Sequence, residues 1–211
     1  MLLYVDAGTY PSSSHFVEKY LQQTENPVVV GGMTHLSKQP EKPYKLRWLY
    51  TKERESVKNF ENSHQTVVCS SNFFIKKQLF EKIKFDESIK KYGCEDVIFF
   101  DTILNSGILI KHIDNPVIHD AKEDAFSFLK KTESAIENLI WLIEEQKIEV
   151  KRYRISSLYY KLKRFKLSRL LSILFLRFRK FMIKNLASSN PSLRIYDLYR
   201  LGYFCYKKNQ L

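Results

Sequence analysis

The sequence predicts an α/β domain followed by a basic, α-helical tail. Short strand-like apolar runs alternate with amphipathic runs of helical period over the first 120 residues. Charge is divided along the chain. Residues 151–211 hold 16 Lys and Arg against one acid, Asp197, a net of +15, while the first 150 residues net −3. With 44% hydrophobic and 14% aromatic residues among 211, the chain can bury a core suited to one domain plus an appendage. The expected organisation is a first domain over 1–121, a long packing helix within 122–150, and a basic amphipathic tail over 151–211.

In chain order, Met1-Leu-Leu-Tyr-Val5 reads as a strand that delivers Asp6 and Gly8 to its carboxyl end. Pro11-Ser-Ser-Ser14 leads into an amphipathic helix over His15–Leu21, where Phe16 and Tyr20, and Val17 and Leu21, lie four apart. Pro27-Val-Val-Val-Gly-Gly32 is a buried strand ending in a flexible turn. Residues 34–66 are polar, weakly periodic and contain Pro40 and Pro43, which predicts a long loop of the functional or disordered kind. Residues 122–147 predict a long helix, acidic at Glu123 and Asp124. Its Phe126, Leu129, Ile136, Leu139, Ile140 and Ile143 are expected in the core.

The segment Lys91-Tyr-Gly-Cys-Glu-Asp-Val-Ile-Phe-Phe-Asp101 carries the most chemistry. Glu95 and Asp96 follow a glycine turn and open an apolar periodic run, Val97, Phe100, Ile103 and Leu104, that stops at Gly107, a natural C-cap. In a first helical turn, free N–H groups and the macrodipole favour ionised carboxylates. A rigidly held carboxylate at a loop mouth suits a general base. Two acids decorating a helix start is the competing account.

The surrounding residues form an ordered series. Asn72 and Lys76 close a strand, Phe85-Asp-Glu87 makes a turn, Gly93-Cys-Glu-Asp96 starts a helix, and His119 follows Asn115-Pro-Val-Ile118. In that order the chain resembles the C-terminal half of family-2 glycosyltransferases, over about residues 1–120. The resemblance implies a partial GT-A fold, the fold of nucleotide-diphospho-sugar transferases, lacking its N-terminal strands. It implies inverting transfer of a sugar from a nucleotide-diphosphate donor to a glycan or lipid-linked acceptor, in surface polysaccharide synthesis. Asp96 would be the base, and Glu95 would orient acceptor hydroxyls or position Asp96. Asn72 would line the cleft wall, and Arg47 and Trp48, with Tyr50, would contact a sugar or phosphate. Asp6 and His119 would face the diphosphate and a divalent metal, Mg or Mn.

Two departures qualify that expectation. Gly8 stands where the family's Asp-x-Asp motif has its second Asp, which removes a hard oxygen ligand and weakens the metal site. His119 reads equally as a strand-end histidine without a ligand role. The family's nucleotide-binding half has no counterpart in the sequence. That implies a truncated reading frame, a split enzyme with a separate N-terminal half as partner, or, as the alternative, a non-catalytic, membrane-associated remnant or scaffold of the same fold.

The tail runs from Ser156 to Lys184 without a helix breaker, and apolar residues at 158, 162, 165, 170, 174, 178 and 181 recur near helical period among basic ones. Its longest uncharged apolar stretch, Leu170–Leu176, contains Ser172 and falls far short of the roughly 20 residues that span a bilayer. Three readings stand: an interfacial helix on an anionic membrane over 156–186, a helical subdomain packing its stripe inward, or a nucleic-acid binder. No recognisable nucleic-acid module is present, which disfavours the last.

Cys69, Cys94 and Cys205 are scattered and odd in number, against a disulfide scaffold or a structural zinc site. Asp6 interrupts the N-terminal apolar run, against a signal peptide. The expected location is cytoplasmic, peripheral to the inner membrane face.

Overall fold

The computed structural model describes residues 1–56, 70–120 and 122–210. The protein is mixed α/β and divides into two compact units. One comprises Met1–Gln39, Trp48–Glu87 and Glu95–Lys122. The other comprises Pro40–Arg47, Ser88–Cys94 and Glu123–Leu211. The long helix and the basic tail thus belong to one body rather than two.

The first unit is built on strands β1 (Leu2–Val5), β2 (Thr9–Pro11), β3 (Val28–Val30), β4 (Met33–His35), β5 (Asn72–Ile75), β6 (Ile110–His112) and β7 (Val117–His119). They form a four-stranded sheet, order β1-β5-β3-β6, and a three-stranded sheet, order β2-β7-β4. Both are mixed. β5 runs antiparallel to β1 and β3 while β3 and β6 are parallel, and β7 runs antiparallel to β2 but parallel to β4.

The three valines of β3 explain the layering. Side chains alternate across a strand, and all three are buried. Val28 and Val30 enter one core with Phe73, Ile75, Phe99, Phe100 and Ile103. Val29 enters a second core with Phe16, Tyr20, Met33, Phe74 and Val117. A β-branched run without polar alternation is what a strand covered on both faces requires.

Helix α1 (Phe16–Leu21) buries Phe16 and Tyr20 and leaves Val17 and Leu21 in solvent, so one of the two four-residue pairs anchors it. The stretch expected as one long loop is partly ordered. It holds a 3₁₀ turn at Lys42–Tyr44 started by Pro43, helix α2 (Lys45–Tyr50) and a π turn at Thr51–Glu55. Leu46 and Trp48 are buried and anchor it. Residues 57–66 of that stretch, and Cys69, lie outside the described residues.

Helices α3 (Lys77–Lys82) and α4 (Glu95–Asn105) follow. α4 buries Phe99, Phe100 and Ile103, and Leu104 faces water. It ends as its sequence requires: Gly107 takes φ +77°, its N–H bonds to Leu104 O at 3.0 Å, and the Ile108 N–H reaches Ile103 O.

The second unit is helical: α5 (Ala125–Glu144), α6 (Arg154–Arg164), α7 (Ser168–Leu186) and α8 (Leu193–Lys208). Asp124 caps α5 by accepting from the N–H groups of Phe126 (2.8 Å) and Ser127 (3.1 Å). Leu129, Ile136, Leu139 and Ile140 are buried as expected, whereas Phe126 is 63% exposed. α8 is stitched to α5 by a polar ladder. The Tyr199 hydroxyl and Arg179 both donate to Glu133, the Tyr203 hydroxyl donates to Glu137 at 2.7 Å, and Lys207 pairs with Glu137. Burial, and then the hydrogen bond to Glu133, raises the Tyr199 hydroxyl to about 12. Cys205 on α8 is fully buried, and loss of solvent pushes its thiol up to about 11.

The stretch 156–184 lies in two helices, α6 and α7, not one. The break falls at Lys166, a non-glycine residue at φ +59°, with no Gly or Pro to announce it. Tyr153 holds the N-cap position of α6, and the buried Ser156 hydroxyl donates to Val150 O and Tyr153 O. Among the described residues, no helix is long and apolar enough to cross a membrane.

Candidate active site

Asp6, Glu95, Asp96 and His119 all belong to the mixed-sheet unit. Since β1 and β3 each run opposite to β5, and β6 runs with β3, the carboxyl ends of β1, β3 and β6 share one edge. That is the edge at which α/β sheets bind ligands. Asp6 leaves β1 there, its N–H bonded to Ser71 O at 2.9 Å.

A tight turn follows. The Thr9 N–H and hydroxyl both donate to Asp6 O, at 3.2 and 2.8 Å, and Gly8 adopts φ +82°. β2 then pairs with β7 so that Thr9 lies opposite His119. In the parallel β4–β7 pair, His35 is the register partner of His119, and its Nδ1 shares a 3.0 Å hydrogen bond with Ser56 Oγ. The fold therefore brings the Asp6 turn and His119 onto neighbouring strands.

At the start of α4, Asp96 Oδ1 accepts the Val97 N–H at 2.8 Å. The first-turn position alone would keep this carboxyl ionised to low pH. Burial outweighs it: the pKa is pushed up from 3.8 to about 6, mainly by desolvation. The charges of Glu95 and Asp6 add to the rise, and the Val97 N–H opposes it. Asp6 stays accessible, yet nearby atoms displace enough water to raise it as well. Glu95 Oε2 is enclosed and accepts no hydrogen bond from the described residues. The sharp entry to α4 is made by Gly93 and Cys94, both at positive φ (+96° and +73°).

The other expected contacts are spent inside the fold. Asn72 is fully buried at the head of β5, where its amide nitrogen donates to Gly32 O (3.1 Å) and Asn115 O (2.7 Å) and its Oδ1 accepts from the Tyr20 hydroxyl. It is a hub of the core rather than a cleft wall. Trp48 is buried, donates its indole N–H to Leu36 O at 2.7 Å, and stands edge-on to His35. In the helical unit, Arg47 is buried with its guanidinium over the Phe128 ring and its Nε 3.6 Å from Glu123.

Sequence reasoning missed Tyr20 and Asn115, which complete the Asn72 network. Burial raises the Tyr20 hydroxyl well above its ordinary range, and Asn115 donates to Phe16 O at 2.9 Å. Gly31 is the available signal, since a Cβ there would collide with Tyr20, Asn72 and Asn115.

Among the described residues, no three His, Cys, Asp or Glu side chains are disposed to hold a metal ion. Gly8 brings no side-chain carboxylate to the turn that carries Asp6. In comparisons with protein-family models, curated proteins and solved structures, nothing matched this chain.

Proposed function

We propose that the protein is a glycosyltransferase of family-2 type. It would transfer a sugar, with inversion, from a nucleotide-diphosphate donor to a glycan or lipid-linked acceptor. The observation that carries this reading is Asp96, a mostly enclosed carboxyl with a pKa of about 6, set at a helix start with Asp6 near enough to repel it. The mixed sheet with acids at its carboxyl edge supports the GT-A assignment, which belongs to the same proposal.

In the proposed step the acceptor oxygen bonds to the anomeric carbon as the bond to the diphosphate breaks. The bonding pair leaves with the nucleoside diphosphate, and the hydroxyl proton passes to Asp96. A carboxylate with a pKa of about 6 is mostly ionised at neutral pH and is still a better base than an ordinary aspartate. Glu95 orients the acceptor hydroxyl or holds Asp96, while Asp6 and His119 face the donor diphosphate. Asp6 and His119, with phosphate oxygens and water, would hold a divalent cation, Mg or Mn, which would offset charge on the leaving diphosphate.

A second reading is a non-catalytic scaffold of the same fold. It is favoured by Gly8 and by the enclosure of Asn72, Arg47 and Trp48. The test is release of nucleoside diphosphate by the purified chain from UDP-, GDP- and dTDP-sugars, with the Asp96→Asn protein in parallel. Release that Asp96→Asn abolishes supports the transferase. Release unchanged in Asp96→Asn removes Asp96 as base, and no release from any donor favours the scaffold.

A further inference from the structure

The apolar stripe legible in the tail sequence is the one left in solvent. On α7, Leu170, Leu174, Phe178 and Phe181 recur every three or four residues and are between 41 and 70% exposed. The side that packs inward buries the small Ser168 and Ser172 beside Phe175, whose ring lies against Gly202, and Leu186. A helix of this composition would ordinarily bury its leucines and phenylalanines and expose its serines. Here four large apolar side chains leave 41 to 70% of their surface in solvent, and such a patch marks an interaction surface.

Its border is basic. Arg177, Lys180 and Lys184 run alongside the stripe, and α7 contains no acid. Lys180 and Lys184, one turn apart, line a cavity of about 500 Å³ together with Lys42, Phe126 and Ile183. The acid of that lining, Asp124, is committed to capping α5. Its carboxylate accepts from two backbone N–H groups and the Ser127 hydroxyl, which hold it below the usual range.

We propose that the α7 stripe seats on an anionic lipid bilayer, and that the Lys42–Lys180–Lys184 cavity takes the phosphate of one phospholipid headgroup. This inference stands whether or not the transferase reading does. Charge complementarity argues for the occupant: residues 151–211 carry a net +15, and Arg177, Lys180 and Lys184 beside the stripe meet a negative surface while aliphatic and aromatic side chains enter the acyl boundary. A nucleic acid would use the basic border but would leave leucine side chains without a partner. Exposed Phe126 at the cavity mouth gives the headgroup an apolar collar continuous with the bilayer.

The experiment is co-sedimentation of the full chain with vesicles of phosphatidylcholine alone and of phosphatidylcholine mixed with phosphatidylglycerol. Wild-type protein should bind the mixed vesicles, and added salt should weaken that binding. Phe178→Ser with Phe181→Ser, both at exposed positions, should keep the helical circular-dichroism spectrum and lose roughly tenfold or more in partition. Lys180→Gln should lose roughly fivefold, and Lys42→Gln, outside α7 but on the same cavity, should match it. Equal binding to both vesicle types, indifference to the phenylalanine pair, or a silent Lys42→Gln would overturn the proposal. So would capture of RNA, or self-association through the stripe, in place of vesicle binding.

Discussion

The Asp120 N–H donates to the Gly8 carbonyl at 3.0 Å, so the turn that carries Asp6 is fastened to the residue after His119. Gly8 needs its left-handed φ of +82° for this, yet a Cβ there would meet nothing within 4 Å. Conformation, not space, selects glycine. Gly8→Asp should fold, losing on the order of 1 kcal/mol in urea unfolding, and Gly8→Val should lose more because a β-branched residue tolerates positive φ poorly.

Asp96→Asn should stabilise the protein while disabling it. The folded carboxyl has a pKa of about 6 against 3.8 for the ordinary group, so the folded state binds the proton more tightly. Stability therefore falls as pH rises from about 4 to about 6 and is level above that. Asn removes the titration. Its advantage, up to about 3 kcal/mol for a shift of about two units, should be full above pH 6 and absent below pH 4. Thermal unfolding of both proteins across that range reads the effect directly.

Sugar transfer, once a donor is found, should follow the same group from the other side. Its rate should rise with pH through about 6 as the base ionises. A pH–rate profile without that limb would assign the proton to another residue.

The Tyr20–Asn72–Asn115 network should behave as a unit. Tyr20→Phe strands the buried Asn72 Oδ1 and should cost about 1–3 kcal/mol, and Asn72→Ala, which removes a donor from Gly32 O and from Asn115 O and the side-chain acceptor of the Tyr20 hydroxyl together, should cost more. Denaturant midpoints of the two single variants and the double variant would show strong non-additivity.

In the helical unit, Gly202→Ala should destabilise although alanine is the better helix former. A Cβ at 202 would sit 2.7 Å from Phe175 Cβ, and overpacking of a well-filled site costs about 1–3 kcal/mol, more than the roughly 1 kcal/mol of propensity gained. Chemical denaturation would give the sign.

What the sequence made legible were elements whose signals are local. The valine run became β3, the Glu-Asp start and Gly107 stop became α4, and Asp124 opened α5. What stayed hidden depended on partners distant in sequence. Nothing in Asn72 says that Tyr20 and Asn115 will close over its amide, and nothing in Arg47 says that Phe128 will cover it. The break at Lys166 lacked a glycine or proline to mark it. The direction of the α7 stripe was likewise undecidable from period alone, since a stripe at helical spacing reads the same whether it faces protein or water. For the candidate site, the carboxylates were readable from residue type, but the upward shift of Asp96 required its burial to be known.

Cys205 gives the helical unit a built-in clock. A thiol reagent meets a sulfur that is enclosed and, with a pKa near 11, almost wholly protonated at neutral pH, so labelling there must wait for α8 to come away. Mass-resolved labelling of this one sulfur under native conditions would time the opening of that unit alone, separately from the mixed-sheet unit that carries Asp96.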